Sequence, residues 1–117
     1  METAVILVTS PSRANPCTVL IEEVIESVAL LDGLENAPVF IVMDGFILHD
    51  TVRTKRGRIT EQMAAAYEEY HQKLSTIFAS DRFTILRCKE HVGFALAVRY
   101  GLEQCGTKYA LVLQHDR

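Results

Sequence analysis

Residues 4–16 read AVILVTSPSRANP, and three structural patterns follow one another within them. Residues 4–8 are all aliphatic, which is typical of a strand that is covered on both faces. Residues 9–14 are mostly polar and contain a proline, so they predict a loop. Asn15 and Pro16 then predict a helix start, with Asn15 as the N-cap and Pro16 at the first helical position. A strand, a loop and a helix in this order form the beginning of an α/β unit.

The rest of the chain repeats this alternation of strand and helix. Apolar runs predict three more strands, at residues 38–43, 83–86 and 109–113. Apolar residues at helical spacing predict a helix before each of them, so the chain reads β-α-β-α-β-α-β. We therefore expect a single domain over residues 1–117, with an α/β fold in three layers. We expect its sheet to be doubly wound and mostly parallel, with the strand order 3-2-1-4 of a Rossmann-like fold.

The second and third helices have more detailed predictions. The second is expected to begin after Thr60, whose side chain can cap it. The third is expected over residues 92–104, with four side chains turned toward the sheet: Phe94, Ala95, Val98 and Leu102. A longer polar connection, residues 46–59, lies between the second strand and the second helix, and no strand is predicted within it.

The charge balance argues against a protein that binds nucleic acid or an anionic membrane, because 15 acidic residues outweigh 12 basic ones and the net charge is −3. Residues 53–58, RTKRGR, are a local exception. We expect a solvated loop there, and the alternative is a contact with a phosphate or an acidic acceptor, or a lid over the crevice. No apolar stretch is long enough for a transmembrane helix, and a secretory signal pattern is absent. The three cysteines fit neither a zinc site nor a disulfide framework, so we expect a cytoplasmic protein with reduced thiols.

Three loops of the expected fold meet at the carboxyl edge of the sheet, where α/β proteins usually bind ligands. They contain residues 9–14, the pair Asp44-Gly45, and residues 114–117, which read QHDR. Neither a Gly-x-Gly-x-x-Gly pattern nor a P-loop follows the first strand, which argues against a dehydrogenase or a P-loop NTPase. Asp44 and Asp116 can instead accept hydrogen bonds from a nucleoside, or hold a divalent cation that bridges phosphates. Taken alone, Asp44-Gly45 also fits an ordinary turn.

Three segments resemble the N-terminal, nucleotide-sugar-binding half of family 2 type glycosyltransferases, which have the GT-A fold. Residues 5–28, VILVTSPSRANPCTVLIEEVIESV, resemble the first strand, loop and helix of that family, and residues 37–45, APVFIVMDG, resemble its second strand. Residues 91–116, HVGFALAVRYGLEQCGTKYALVLQHD, resemble the stretch that ends in the family's Asp-x-Asp. Five residues there match the family pattern: Gly93, Ala97, Gly101, Gly106 and Tyr109. The chain departs from the pattern at two positions. Gln114 occupies the position of the first Asp of Asp-x-Asp, and Arg99 occupies the position of an Asn.

The resemblance implies a site for a UDP- or GDP-linked sugar together with Mg²⁺ or Mn²⁺. Asp116 is expected to bind the metal, more weakly than in the family because Gln114 brings no charge. The expected nucleotide-binding residues are Thr9, Ser10, Pro11, Arg13, Asp44, Gly45, Gly93, Arg99 and Gln114. The acceptor site and the catalytic base of the family belong to a second half that we expect this chain to lack. We therefore expect donor binding, without glycosyl transfer to an acceptor.

Two alternatives stay open. The first is a non-catalytic binding or assembly module that reuses the fold, in which the open edge of the fourth strand pairs with another chain. Metal-dependent nucleotide binding would favour the transferase-like interpretation, whereas metal-independent self-association would favour the module. The second is a flavodoxin-like domain. It needs a phosphate-binding loop after the first strand, and residues 9–16, TSPSRANP, contain no glycine.

Overall fold

The computed structural model of the chain describes residues 3–12, 15–31, 33–48 and 58–114. The four strands of the main sheet alternate with three helices along the chain, as the sequence predicts. The elements are β1 (Thr3–Thr9), α1 (Val19–Val28), β2 (Val39–Met43), β3 (Ile47–Leu48), β4 (Arg58–Ile59), α2 (Glu61–Ile77), β5 (Phe83–Arg87), α3 (Phe94–Cys105) and β6 (Tyr109–Gln114).

The main sheet has four strands, and all of its pairings are parallel. β1 lies between β2 and β6, and β5 forms the edge beyond β2. β3 and β4 form a separate two-stranded parallel sheet inside the connection for which no strand was predicted, so that prediction was wrong. With these two short strands counted, the order reads β5-β2-β1-β6 instead of 3-2-1-4. A pair of two-residue strands is too short to give a recognisable apolar pattern.

Helices cover both faces of the sheet, which confirms the three-layer prediction. Val5 and Leu7 of β1 belong to one apolar cluster, which also contains residues of α1 and α2. Ile6 and Val8 point to the opposite face and pack in a second cluster with α3. Because successive side chains of a strand point to opposite faces, the aliphatic run of β1 supplies both clusters. These four side chains are at most 3% exposed, and burying each one contributes roughly 1.5–3 kcal/mol.

The predicted start of α1 was wrong. Asn15 does not cap the helix; instead its Oδ1 accepts a hydrogen bond from the Ser12 amide over 2.9 Å and closes the loop. Asn15 and Pro16 form a turn with a cis peptide bond between them. The helix begins at Val19 after Thr18, whose hydroxyl donates to the Glu22 carboxylate over 2.7 Å. An Asn side chain bonds equally well within a turn and at a helix end, so the local pattern alone did not separate the two.

The start of α2 was predicted correctly. The backbone of Thr60 is extended, and its hydroxyl accepts a hydrogen bond from the Met63 amide over 3.2 Å. This bond satisfies one of the free amides in the first helical turn. Three side chains of α2 are buried against the sheet: Tyr67, Tyr70 and Leu74.

The predicted inward face of α3 was largely wrong. Ala97 and Gly101 are the buried residues of this helix, whereas Phe94 and Leu102 are more than 40% exposed and Ala95 is also exposed. A Cβ at Gly101 would lie 2.9 Å from Cγ2 of Ile6, so glycine allows the helix to approach the sheet closely. The apolar pattern was misleading because the closest contacts involve the smallest side chains, one helical turn apart.

Some of the predicted features lie outside the described residues. They are Arg13, Asp116 and residues 53–57 of the basic run. Within the part of the chain that the structure describes, no helix is long and apolar enough to cross a membrane.

Candidate functional site

The carboxyl edge of the sheet brings several of the predicted residues together. Thr9 ends β1, and its carbonyl accepts a hydrogen bond from the Asp44 amide over 2.9 Å. On the other side of β1, Gln114 is paired in register with Val8. Val42 and Gln114 are both in register with Val8, so the ends of β2 and β6 lie two strand spacings, about 10 Å, apart on either side of β1. Ser10 is half-buried and follows Thr9 directly.

The carboxylate of Asp44 is buried and surrounded by donors. Its side chain is only 4% exposed. Oδ1 accepts hydrogen bonds from the amides of Gly45 over 2.8 Å and Val92 over 2.9 Å. Oδ2 accepts from the Gly93 amide over 3.1 Å, and Nδ1 of His91 lies 3.1 Å from the same oxygen. A carboxylate has about four lone-pair positions, so this one is fully occupied by the protein.

These contacts tie the loop before α3 to the end of β2. The Cys88 amide also donates to the Met43 carbonyl over 2.9 Å. A Cβ at Gly45 would lie 2.7 Å from the Cα of Glu90, which is closer than real Cβ atoms approach other atoms. Gly93 has φ of +84°, a conformation that favours glycine. The predicted residues Gly45 and Gly93 therefore have structural reasons for being glycine.

The hydroxyl groups of two tyrosines of α2 contact this edge of the sheet. The hydroxyl of Tyr67 donates to the Asp44 carbonyl over 2.7 Å and lies 3.4 Å from the Thr9 carbonyl. The hydroxyls of Tyr70 and Thr9 are 3.1 Å apart and share a hydrogen bond. Burial raises the pKa of Tyr67 far above its ordinary value, and the negative charge of Asp44 adds to the shift. Tyr67 therefore stays a neutral donor.

A pocket of about 360 Å³ opens beside this network, over the ends of β2 and β5. Its walls include Phe46, Tyr67 and Cys88. Burial raises the pKa of the Cys88 thiol, and the charge of Asp44 adds to this, so the reactive thiolate is disfavoured. A second pocket of about 320 Å³ lies between residues 87–90 and α3, and its walls include Leu96 and Tyr100.

The structure brings five of the predicted nucleotide-binding residues to one edge: Thr9, Asp44, Gly45, Gly93 and Gln114. Ser10 and Pro11 follow in the adjoining loop, both half-buried. Arg99 is exposed in the middle of α3, and no contact among the described residues joins it to this edge. The sequence analysis did not identify His91, Tyr67 or Tyr70 as part of this region, because their contacts join residues at least 23 positions apart.

The metal site stays a prediction. Among the described residues, no group of three or more His, Cys, Asp or Glu side chains is placed to hold a metal ion. Gln114, half-buried at the end of β6, offers an amide oxygen, which is a donor that Mg²⁺ and Mn²⁺ accept. Asp116 lies outside the described residues, so its assignment as the metal ligand stays a prediction.

Three comparisons with known proteins found no match to the chain: a scan against family models, a search of curated proteins and a search of solved structures. The resemblance to family 2 type glycosyltransferases therefore stays a prediction that depends on the quoted segments.

Proposed function

We propose that the chain binds a nucleotide-diphosphate sugar at the carboxyl edge of its sheet, with Mg²⁺ or Mn²⁺ at the diphosphate. The observation that carries this proposal is the arrangement of the strands. α1 leaves β1 toward one face of the sheet, whereas α3 covers the opposite face before the chain enters β6. The two connections diverge between β1 and β6, and a crevice at such a switch point is the usual ligand site of an open α/β sheet.

In this proposal the two ends of the ligand lie over different strands. The base and ribose lie over the adjoining ends of β1 and β2, near the loop that contains Thr9, Ser10 and Pro11. The diphosphate and the metal lie near Gln114 at the end of β6, and Asp116 is the proposed metal ligand. The resemblance of residues 91–116 to the family's Asp-x-Asp stretch supports this orientation.

The role of Asp44 differs from the one that the resemblance implies. Its four acceptor positions face the protein, so a direct bond to a base would require one of those contacts to break. We propose that Asp44 orders the loop before α3 and thereby shapes the base end of the site. Transfer of the sugar to an acceptor is expected to need a further acceptor-binding part with its own base.

Calorimetric titration of the chain with UDP and GDP, each with and without Mn²⁺, tests this proposal. We expect one nucleotide to bind more tightly with the metal present, and Gln114→Ala and Asp116→Ala to weaken that binding. Gln104→Ala and Asp81→Ala are the matched controls, because both residues lie away from the carboxyl edge, and we expect them to bind like the wild type. If neither nucleotide binds under any of these conditions, the proposal is wrong.

A second candidate, an assembly module, is favoured by the composition of β6. This strand is an edge of the sheet, and none of its six residues is charged. Tyr109 is 57% exposed and Val112 is 36% exposed. Edge strands without charges or prolines tend to pair with other chains, whereas β5 at the opposite edge carries Arg87.

Light scattering coupled to size exclusion, over a range of protein concentrations, tests the assembly candidate. Self-association without metal or nucleotide, abolished by Val112→Lys, would support it. Thr84→Lys on the opposite edge strand is the matched control and is expected to leave the association unchanged. A chain that stays monomeric at every concentration would rule out pairing through β6.

A further inference from the structure

His91, a neighbour of Asp44, is more accessible to a ligand than Asp44 itself. Nδ1 of His91 lies 3.1 Å from Oδ2 of Asp44, yet 31% of the His91 side chain is exposed, against 4% of the Asp44 side chain. The adjoining amides of Val92 and Gly93 both donate to Asp44, so the backbone that carries His91 is held in place. His91 is therefore an oriented side chain at the edge of the sheet.

The position of Nδ1 determines where neutral His91 carries its proton. A nitrogen lone pair 3.1 Å from a carboxylate oxygen would repel it, so Nδ1 carries the hydrogen. The lone pair of the neutral ring then lies on Nε2, on the side of the ring away from Asp44. Among the residues that the structure describes, Nε2 has no hydrogen-bond partner. The pair thus presents one free acceptor.

The location of this acceptor matches one end of the proposed ligand. His91 contacts the residue that follows β2, whereas Gln114 ends β6, two strands away. The diphosphate and metal are proposed at β6. The group that lies over β2 is then the nucleoside, and its most directional donors are the N–H groups of the base.

We infer that Nε2 of His91, positioned by Asp44, accepts a hydrogen bond from the imide N–H of the nucleotide base and so selects uracil or guanine. This inference rests on the proposed nucleotide site. Uracil carries hydrogen on N3 and guanine carries it on N1. Cytosine and adenine have a lone pair at the corresponding position, which would face the lone pair of Nε2. Because these two acceptors would face each other with no donor between them, we expect CDP and ADP to bind roughly 10- to 100-fold more weakly.

Calorimetry with matched nucleotides tests the inference. UDP is compared with CDP, and GDP with ADP, all in the presence of Mn²⁺, because each pair has the same ring system. We expect the wild-type chain to bind the imide-bearing member of the preferred pair at least about tenfold more tightly. His91→Ala is expected to reduce this preference to less than about threefold, with little effect on the binding of CDP or ADP.

Three further variants separate recognition from folding. His91→Gln keeps a carbonyl acceptor near the position of Nε2 and is expected to retain part of the preference. His91→Lys offers only donors and is expected to reverse the preference toward CDP or ADP. His71→Ala is the matched control, since His71 is another partly exposed histidine, on α2, and it is expected to keep the wild-type preference. Thermal unfolding of every variant shows which of them are folded.

The outcomes for His91 and for the proposed function are distinguishable. Tight binding of UDP or GDP with an unchanged preference in His91→Ala and His91→Lys would overturn the inference and leave the nucleotide site intact. A wild-type chain that binds UDP and CDP equally, and GDP and ADP equally, would also overturn it. If no nucleotide binds at all, the proposed function fails, and the role of His91 fails with it.

Discussion

The hydroxyl of Tyr67 donates a hydrogen bond to the backbone carbonyl of Asp44 over 2.7 Å, and both residues are buried. This bond joins the middle of α2 to the residue directly after β2. Asp44 in turn accepts from the amides of Val92 and Gly93, so the same residue connects α2, β2 and the loop before α3. The carboxyl edge is therefore held by one buried polar network, and stability measurements can test its parts.

Tyr67→Phe removes only the hydroxyl of this network. The Asp44 carbonyl then loses its donor in a buried place, and we expect the free energy of unfolding to fall by about 1–3 kcal/mol. Urea denaturation followed by circular dichroism measures this change. Tyr109→Phe is the control, because Tyr109 is 57% exposed, and we expect it to cost less than about 0.5 kcal/mol. Equal effects of the two variants would contradict a buried bond at Tyr67.

Tyr67 also predicts a loss of stability in alkaline solution. Its pKa is raised in the folded chain, whereas in the unfolded chain it has the ordinary tyrosine value of about 10. Above about pH 10 the unfolded state releases this proton and the folded state retains it, so stability is full below that pH and falls as pH rises. The loss can approach about 1.4 kcal/mol per pH unit.

Urea denaturation at about pH 9, 10 and 11 tests this alkaline effect. The wild-type chain is expected to lose more stability over that range than Tyr67→Phe, which lacks the titrating group. Other tyrosines and lysines contribute equally to both proteins, so the difference between the two curves isolates Tyr67. Parallel curves would mean that burial does not hold Tyr67 in its neutral form.

Asp44→Asn tests the structural role of the carboxylate. An amide has one oxygen, so it cannot accept from the amides of Gly45, Val92 and Gly93 as the carboxylate does. We expect a loss of about 2–4 kcal/mol, together with faster hydrogen exchange of the Val92 and Gly93 amides. Asp81→Asn, at an exposed turn, is the control and is expected to change neither. Unchanged exchange in Asp44→Asn would contradict the network.

Gly45→Ala tests the close approach between the end of β2 and the loop before α3. The added Cβ would overlap the backbone of Glu90, so we expect the loop to shift and the chain to lose about 1–3 kcal/mol. Gly33→Ala is the contrast, since a Cβ there meets no atom within 4 Å, although φ is +82°. We expect amide chemical shifts of residues 88–93 to change in Gly45→Ala and to stay unchanged in Gly33→Ala.

The sequence predicts those parts of the fold that depend on long, uniform patterns. The aliphatic residues 4–8 identify a central strand because only a strand covered on both faces needs apolar side chains at every position. Thr60 identifies the start of α2 because a hydroxyl directly before an apolar stripe commonly caps a helix. The cap depends on a hydrogen bond between residues three positions apart. The strand depends on burial, whichever elements cover its two faces.

The remaining features depend on contacts that no local pattern contains. The inward face of α3 was misjudged because Ala97 and Gly101 contact the sheet, and small residues contribute little to an apolar pattern. The carboxylate of Asp44 was expected to be free for a ligand, yet it bonds to amides 48 and 49 residues later in the chain. The path of that loop is set by tertiary packing, which sequence spacing does not reveal.

The central position of β1 has a consequence for synthesis on the ribosome. β1 pairs with β2 on one side, but its other neighbour is β6, and Thr3 is in register with Tyr109. At about 5–20 residues per second, several seconds pass between the translation of these two strands. During that time one edge of β1 has no partner in the nascent chain, so we expect a compact folded domain only after residues 109–114 have left the exit tunnel.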